Sequence, residues 1–178
     1  MPTLTIRPST AADLPALTDI YGHAVAQGTG TFELDCPDEA EMARRRDDVL
    51  AKGLPWLVAE REGQVLGYAY ANHFRPRRAY RFCLEDSIYL APQAQGQGLG
   101  RLLLAELLSQ CEMRGARQML AVIGDSTNVG SIALHRACGF VPAGTFKAAG
   151  WKFDRWLDVV LMQKSLGDGD ATAPTSGL

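Results

Sequence analysis

Hydrophobic and polar positions alternate in some segments, as in strands, and recur every three to four residues in others, as in helices. These two patterns predict the order of strands and helices. Strand-like segments lie at residues 3–6, 56–60, 65–71, 82–90, 141–147 and 153–163. Helix-like segments lie at residues 14–21, 37–52 and 102–112. Residues 119–123 are continuously apolar, which is typical of a strand inside a parallel sheet. The order predicts an α/β fold whose mixed sheet has one parallel crossover in its middle.

Length and composition predict a single domain. The chain has 178 residues, of which 47% are hydrophobic, enough for one core of ordinary size. We assign that domain to residues 1–166. Residues 167–178 are rich in Gly, Asp, Thr, Ala and Pro, and we expect them to form a disordered tail.

Charge and cysteine usage exclude several classes of function. The net charge is −2 with both signs mixed along the chain, which argues against a nucleic-acid partner or a membrane surface. We see no secretory leader and no apolar run long enough to span a membrane, so we expect a cytoplasmic protein. The four cysteines, Cys36, Cys83, Cys111 and Cys138, lack metal-ligand spacing, and we expect no metal site.

A glycine-rich stretch between a predicted strand and a predicted helix is the strongest chemical signal. It reads Gln95-Gly96-Gln97-Gly98-Leu99-Gly100-Arg101. Glycines permit a tight turn that gathers backbone N–H groups, and the following helix adds the positive end of its dipole. The spacing does not fit the dinucleotide fingerprint, which needs a third glycine where Arg101 stands, and it does not fit the P-loop. We therefore predict a different pyrophosphate cradle.

The pattern Gln95-x-x-Gly98-x-Gly100 resembles the acyl-CoA loop of the GNAT superfamily of N-acetyltransferases. Two flanking segments extend the resemblance: residues 128–140, an Asn-capped helix ending in Gly-Phe, and residues 74–89, which are similar to the phosphinothricin and methionine sulfone/sulfoximine acetyltransferases. The resemblance covers residues 3–164. It implies the GNAT fold, a mostly antiparallel sheet flanked by helices in which the parallel strands 82–90 and 119–123 splay apart around acetyl-CoA.

The resemblance also implies which residues contact acetyl-CoA. The backbone of one strand end would bind the pantetheine arm, and N–H groups near Ile88 would stabilise the oxyanion. Asn128 would cap its helix and also hold the arm. The cofactor-binding residues implied in this way are Ile88, Tyr89, Leu90, Gln95, Gly96, Gln97, Gly98, Leu99, Gly100, Arg101 and Asn128.

Catalysis needs a base, because only a neutral amine can attack a thioester. Glu85 and Asp86 are adjacent on a strand and point to opposite faces, so we expect only one of them to line the cleft. The resemblance identifies Glu85 as the general base; the alternative is a structural ion pair with a neighbouring arginine. His135 stands where many relatives have a tyrosine that acts as general acid. That role could instead fall to Tyr89, or the thiolate could leave unaided.

Four arginines within residues 75–81 indicate an anionic substrate, since the guanidinium fork pairs with carboxylate or phosphinate oxygens. The alternative is a solvated loop. By resemblance the substrate-binding residues are Phe32, Arg75, Pro76, Arg77, Tyr80, Glu85, Asp86 and Ser87. We expect a small amino-acid analogue; a peptide N-terminal acetyltransferase and a non-catalytic acyl-CoA sensor are the alternatives.

Two further features of the chain stay open at this point. Residues 27–33 form either a lid or a plain connection between helices. The family resemblance implies a homodimer, and the aromatic segment 151–156 either forms an interface or packs within the chain.

Overall fold

A single seven-stranded sheet organises the fold in the computed structural model, which describes residues 4–175. The strands are β1 Leu4–Pro8, β2 Trp56–Arg61, β3 Gln64–His73, β4 Cys83–Leu90, β5 Gln118–Gly124, β6 Val141–Lys152 and β7 Arg155–Ser165. Their order across the sheet is β1-β2-β3-β4-β5-β7-β6. Only β4 and β5 pair in parallel among the described strands. Thr3, where the first strand was predicted to begin, lies outside the described residues.

Four helices cover the two faces of this sheet. They are α1 Leu14–Gln27, α2 Glu39–Ala51, α3 Leu99–Met113 and α4 Val129–Ala137. Helices α1 and α2 pack together on one face, and α3 and α4 pack together on the other. The predicted helix starting near residue 37 begins after Asp38, whose carboxylate accepts a hydrogen bond from the N–H of Glu41. The leucine-rich helix α3 buries several leucines against β2, β3 and β4, as its composition predicts.

The parallel pair ends before its strands do, and this opens the sheet. The pairing of β4 with β5 runs from Cys83 with Gln118 to Asp86 with Ala121. Beyond that point β4 continues to Leu90, paired only with β3, and β5 continues to Gly124, paired only with β7. The predicted splayed parallel pair is therefore confirmed, and it leaves a wedge-shaped gap at the carboxyl ends of the two strands.

The closing hairpin of β6 and β7 is longer than the apolar pattern predicts. The sequence suggested a break after Lys147, whereas β6 continues to Lys152 through register shifts between Pro142 and Gly144 and between Phe146 and Gly150. Bulges of this kind let a strand continue across glycines that look like turn residues.

The predicted disordered tail over residues 167–178 stays a prediction. Residues 176–178 lie outside the described residues. In the described part, the Arg117 guanidinium donates hydrogen bonds to the carbonyl of Gly169 and to Oγ1 of Thr172. Over residues 4–175, every helix is too short or too polar to cross a bilayer.

Candidate active site

A cleft of about 660 Å³ occupies the gap between β4 and β5. Its walls come from both strands, the start of α3, α4 and the loop that follows α1. Because the cleft opens through the sheet, it reaches both faces of β4, and Glu85 and Asp86 both line it. The expectation that only one of these acids lines the cleft is therefore wrong: strand alternation separates their side chains, but the cleft is not confined to one face.

The glycine-rich loop at one end of the cleft has the geometry of an anion cradle. Gly96 and Gly98 adopt φ angles of 71° and 77°, which side chains disfavour, and no atom within 4 Å would hinder an added Cβ at either position. These positions therefore favour glycine because of their backbone conformation, and not because a side chain would clash with its surroundings. Among the described residues, the N–H groups of residues 96–100 have no hydrogen-bond acceptor. Five consecutive donors at the start of α3 can bind a diphosphate.

Gly100 serves a different purpose in the same loop. A Cβ at this position would lie 3.2 Å from Cδ1 of Leu90 and 3.3 Å from Cδ2 of Leu134. Its bare backbone lets the first turn of α3 approach β4 and α4 closely, which narrows this end of the cleft.

Asn128 connects two walls of the cleft. Its Oδ1 accepts a hydrogen bond from the N–H of Ser131 at 3.2 Å, which caps α4, and its Nδ2 donates to the carbonyl of Gly124 at 2.9 Å. The cap predicted from the sequence is therefore present. The same side chain also fixes the end of β5 to the start of α4.

Glu85 lies in the cleft without a partner among residues 4–175. No group of the described residues hydrogen-bonds to its carboxylate, and no arginine or lysine nitrogen lies within the 4.0 Å of an ion pair. Burial raises the pKa of Glu85 above 4.5, the neighbouring Asp86 charge raises it further, and Arg75 lowers it. The structural ion pair that the sequence left open is thus absent from this conformation, and a carboxylate of raised pKa faces the cleft.

His135 and Asp86 form a buried pair on the opposite side of β4. The His135 Nδ1–H donates to the carbonyl of Ser131 at 2.8 Å, and Nε2 lies 2.9 Å from Oδ2 of Asp86. Burial by itself lowers the pKa of His135, but the hydrogen bond to Asp86 and its charge outweigh burial, so the pKa is raised above 6.5. Both ring nitrogens are thus engaged, and the side chain carries its positive charge at higher pH than an exposed histidine.

Comparison with known proteins places the chain in a family. The model of the acetyltransferase (GNAT) family matches residues 18–140. The chain belongs to the GNAT family of acetyltransferases. A phosphinothricin N-acetyltransferase of Alcaligenes faecalis is 56% identical over 170 residues, covering 96% of this chain and 86% of that protein. An L-methionine sulfoximine/L-methionine sulfone acetyltransferase of Salmonella typhimurium strain LT2 is 36% identical over 165 residues, covering 93% and 96%.

A solved GNAT structure extends the comparison to three dimensions. The crystal structure of a phosphinothricin acetyltransferase from Sinorhizobium meliloti, in complex with acetyl-CoA, superposes with a TM-score of 0.95. The two chains are 51% identical, and the alignment covers 99% of this chain and 95% of that one. The resemblance inferred from the glycine loop and its flanking motifs is confirmed, as are the GNAT fold and the acetyltransferase class.

The arginine-rich loop of this acetyltransferase lies between β3 and β4, outside the cleft lining. Arg75, Pro76, Arg77 and Tyr80 are exposed, and the Tyr80 ring packs edge-on against Phe74 with centroids 5.9 Å apart. The charge of Arg75 nevertheless lowers the pKa of Glu85. The structure therefore brings Ser87, Ile88, Tyr89 and Leu90 together with the glycine cradle and leaves the arginine loop at the rim.

Sequence reasoning missed a polar network beneath the loop after α1. The Tyr21 hydroxyl lies 2.9 Å from Oγ1 of Thr31 and donates to Glu33 at 2.9 Å, and Arg45 donates to the same carboxylate at 2.6 Å. Residues 28–36, which we name the cleft loop, are therefore fixed to α1 and α2 in this structure. The only signal in the sequence was Tyr21 on an apolar helix face, and this pattern ordinarily indicates a core residue.

Proposed function

We propose that the chain is an acetyl-CoA-dependent enzyme that acetylates the amino group of a small amino-acid analogue of the phosphinothricin, methionine sulfone or methionine sulfoximine type. Transfer is direct, with Glu85 as the general base. The observation that carries the proposal is an unpaired, partly buried carboxylate facing a cleft whose far end offers five free backbone donors. Base and anion cradle are the two parts that acetyl transfer from a coenzyme A thioester requires.

The residues that would hold acetyl-CoA are those of the cradle, the open edge of β4 and Asn128. Residues 96–100 would donate N–H groups to the diphosphate. The edge of β4 from Ser87 to Leu90, which β5 does not cover, would pair with the amide arm as another strand does. Bound in this way, acetyl-CoA supplies the activated acetyl group. Open donors, an uncovered strand edge and a cleft of suitable volume all fit this ligand.

Glu85 would prepare the substrate amine. Its carboxylate takes a proton from the substrate ammonium, which leaves the nitrogen lone pair free to bond with the thioester carbon. The raised pKa of Glu85 makes it a better base than an exposed glutamate. N–H groups near Ile88 would stabilise the negative charge that develops on the acyl oxygen.

Collapse of the adduct would break the carbon–sulfur bond, and the nitrogen would lose its remaining proton to solvent. His135 is proposed to donate the proton that the departing thiolate takes up. Its Nε2 proton faces Asp86 in the structure, so donation would require breaking that hydrogen bond. Tyr89 is the alternative donor, since its ring lines the cleft and its burial keeps the hydroxyl protonated by raising its pKa. Substituting His135 and Tyr89 one at a time would distinguish these two candidate donors.

Substrate recognition is assigned to the arginine loop. Arg75 and Arg77 would pair with the anionic group of the substrate, and Tyr80 and Pro76 would shape the entrance. Asp86 and Ser87 belong to the same proposed site; Phe32, which the resemblance also assigned to it, lies outside the cleft lining. Support comes from the connection of this loop to β4, which begins at Cys83, two residues before Glu85, so a substrate bound at the rim would have its amine near the base.

We assign the homodimer to the β6–β7 hairpin. Trp151 and Trp156 are 53% and 64% exposed, with ring centroids 5.1 Å apart, and β6 is an edge strand. A second copy related by two-fold symmetry would cover both the aromatic tip and the open edge.

The four free cysteines suit a reducing cytoplasm, where we place the reaction.

A substrate screen with a free-thiol readout tests the proposal. It compares phosphinothricin, methionine sulfone and methionine sulfoximine with common amino acids and a peptide. We expect turnover with the first three and little with the peptide; preference for the peptide would overturn the substrate assignment.

Glu85→Gln supplies the mechanistic control. An enzyme loses turnover while coenzyme A still binds in a calorimeter, whereas a non-catalytic sensor has no turnover to lose. Coenzyme A binding without turnover on any substrate of the screen would favour the sensor.

A further inference from the structure

The Phe32 ring sits in a slot made by two glycines. Phe32 belongs to the cleft loop; Gly124 ends β5 and Gly150 lies near the end of β6. A Cβ added to Gly124 would lie 2.5 Å from Cε1 of Phe32, and one added to Gly150 would overlap Cδ2 and Cε2 on the other edge of the ring. A side chain at Gly150 would therefore displace the ring, and one at Gly124 would displace both the ring and the carbonyl of Thr29.

A buried lysine fastens the same loop one residue away. Lys152 is 3% exposed, and its Nζ donates to the carbonyl of Thr31 at 2.9 Å. Burial lowers the pKa of Lys152. An ammonium group is costly to bury, so this contact is a specific attachment of the β6–β7 hairpin to the cleft loop.

The fastened segment is itself a wall of the cleft. Gly30 and Thr31 line it, whereas Phe32 does not. Gly30 also lies beside Asn128, since a Cβ on it would be 3.7 Å from Nδ2 of Asn128. The slot thus fixes the cleft loop against the junction of β5 and α4, on the side of the gap opposite β4.

We propose that Phe32 is a positioning residue for the acyl-CoA cleft: seated between Gly124 and Gly150, it holds Gly30 and Thr31 as one wall of the binding gap. The inference rests on the proposed function, because it takes coenzyme A as the ligand. Glu85 lies on the opposite strand, so displacement of the wall weakens cofactor binding and leaves the base in place.

The test measures the Kd of coenzyme A by calorimetry and kcat at saturating acetyl-CoA. Phe32→Ala should raise Kd about tenfold and change kcat by less than about twofold, since the lost contact acts on binding. Phe82→Ala is the matched control: it removes a partly buried phenylalanine outside the cleft lining, and should leave Kd unchanged. Equal weakening in both variants, or an unchanged Kd in Phe32→Ala, overturns the proposal.

Adding a methyl group at Gly150 tests the slot directly, and it also provides a test if Phe32→Ala does not fold. Gly150→Ala should raise Kd because its methyl group expels the ring. The double variant Gly150→Ala/Phe32→Ala should bind no more weakly than Phe32→Ala, since both changes break one contact. Additive effects contradict a shared slot. Lys152→Met should weaken binding in the same direction, and an unchanged Kd there contradicts the fastening of Thr31.

The wild-type titration separates the two hypotheses. Absence of heat with wild-type protein refutes the proposed function itself. Wild-type binding with equal affinity in the Phe32 and Gly150 variants refutes only the positioning role.

Discussion

Nε2 of His135 lies 2.9 Å from Oδ2 of Asp86, and the two side chains are only 3% and 1% exposed. The pair joins α4 to β4 at the cleft, whose lining includes both residues. The Nδ1 proton is committed to the carbonyl of Ser131, so Nε2 donates to Asp86 when the ring is an imidazolium. The second oxygen of Asp86, Oδ1, is buried without a hydrogen-bond partner in residues 4–175, which leaves the carboxylate dependent on His135.

Asp86→Asn should make folding stability less dependent on pH. The folded-state pKa of His135 is raised above 6.5, so the stabilisation by the pair is complete below that pH and is lost as pH rises through the raised value. Removing one partner of a buried pair costs about 3–5 kcal/mol. We therefore expect a large loss of unfolding free energy at about pH 6 and a smaller loss at about pH 9, since the charge of His135 decreases as pH rises.

Urea unfolding at both pH values measures this difference. Asp158→Asn is the matched control. Asp158 pairs with Lys147 at the surface, and breaking a surface pair should lower the unfolding free energy only slightly. An equal loss for Asp86→Asn at the two pH values would show that the charge of His135 does not contribute.

The pH dependence of turnover should report the ionisation of Glu85. A general base acts only when ionised, so kcat/KM should fall as pH decreases through its pKa, which burial and the Asp86 charge place above 4.5. Glu85→Gln should lower kcat about 10²–10⁴-fold and abolish this acidic limb. A variant that retains the limb would assign it to another group.

The sequence predicts the parts of this fold that depend on local backbone chemistry. Gly98 at a positive φ, the Asn128 cap and the apolar strand of β5 follow from residue types that satisfy few other roles. The same reasoning located the glycine-rich loop, whereas the splay of the parallel strands that flank the cleft was implied by the family resemblance. Each of these patterns lies within one short segment of the sequence, so it can be recognised without knowing the rest of the fold.

Contacts between distant segments could not be predicted in this way. Asp86 and His135 are 49 positions apart, and their pairing depends on how α4 crosses β4. The Phe32 slot depends on two glycines in different strands that read as a strand end and a turn. That Asp86 also lines the cleft follows from the depth of the splay, which strand alternation does not encode.

Gly98→Ala should weaken coenzyme A binding more than it weakens folding. Gly98 has a φ of 77° and open space around an added Cβ, so alanine costs only about 1–2 kcal/mol of backbone strain. Relief of that strain would rotate the N–H groups of the cradle. Gly53→Ala is the matched control, with a φ of 72°, the same open surroundings and a position after α2 away from the cleft.

Calorimetry and thermal unfolding together decide the point. Both variants should lose similar stability, and only Gly98→Ala should raise the Kd of coenzyme A. A loss of affinity in Gly53→Ala would attribute the effect to general destabilisation.

Arg75→Gln should change both substrate affinity and the acidic limb of the pH profile. Arg75 lowers the pKa of Glu85 through its charge, so its removal should raise that pKa and move the limb to higher pH. The same guanidinium is proposed to pair with the anionic group of the substrate, so KM should rise, by about tenfold for one lost charge-assisted hydrogen bond. Arg78→Gln removes an equal charge from the same exposed loop and should leave both quantities nearly unchanged. If the limb moves equally in both variants, the loop acts on Glu85 through its total charge; if KM stays constant in Arg75→Gln, another residue binds the substrate anion.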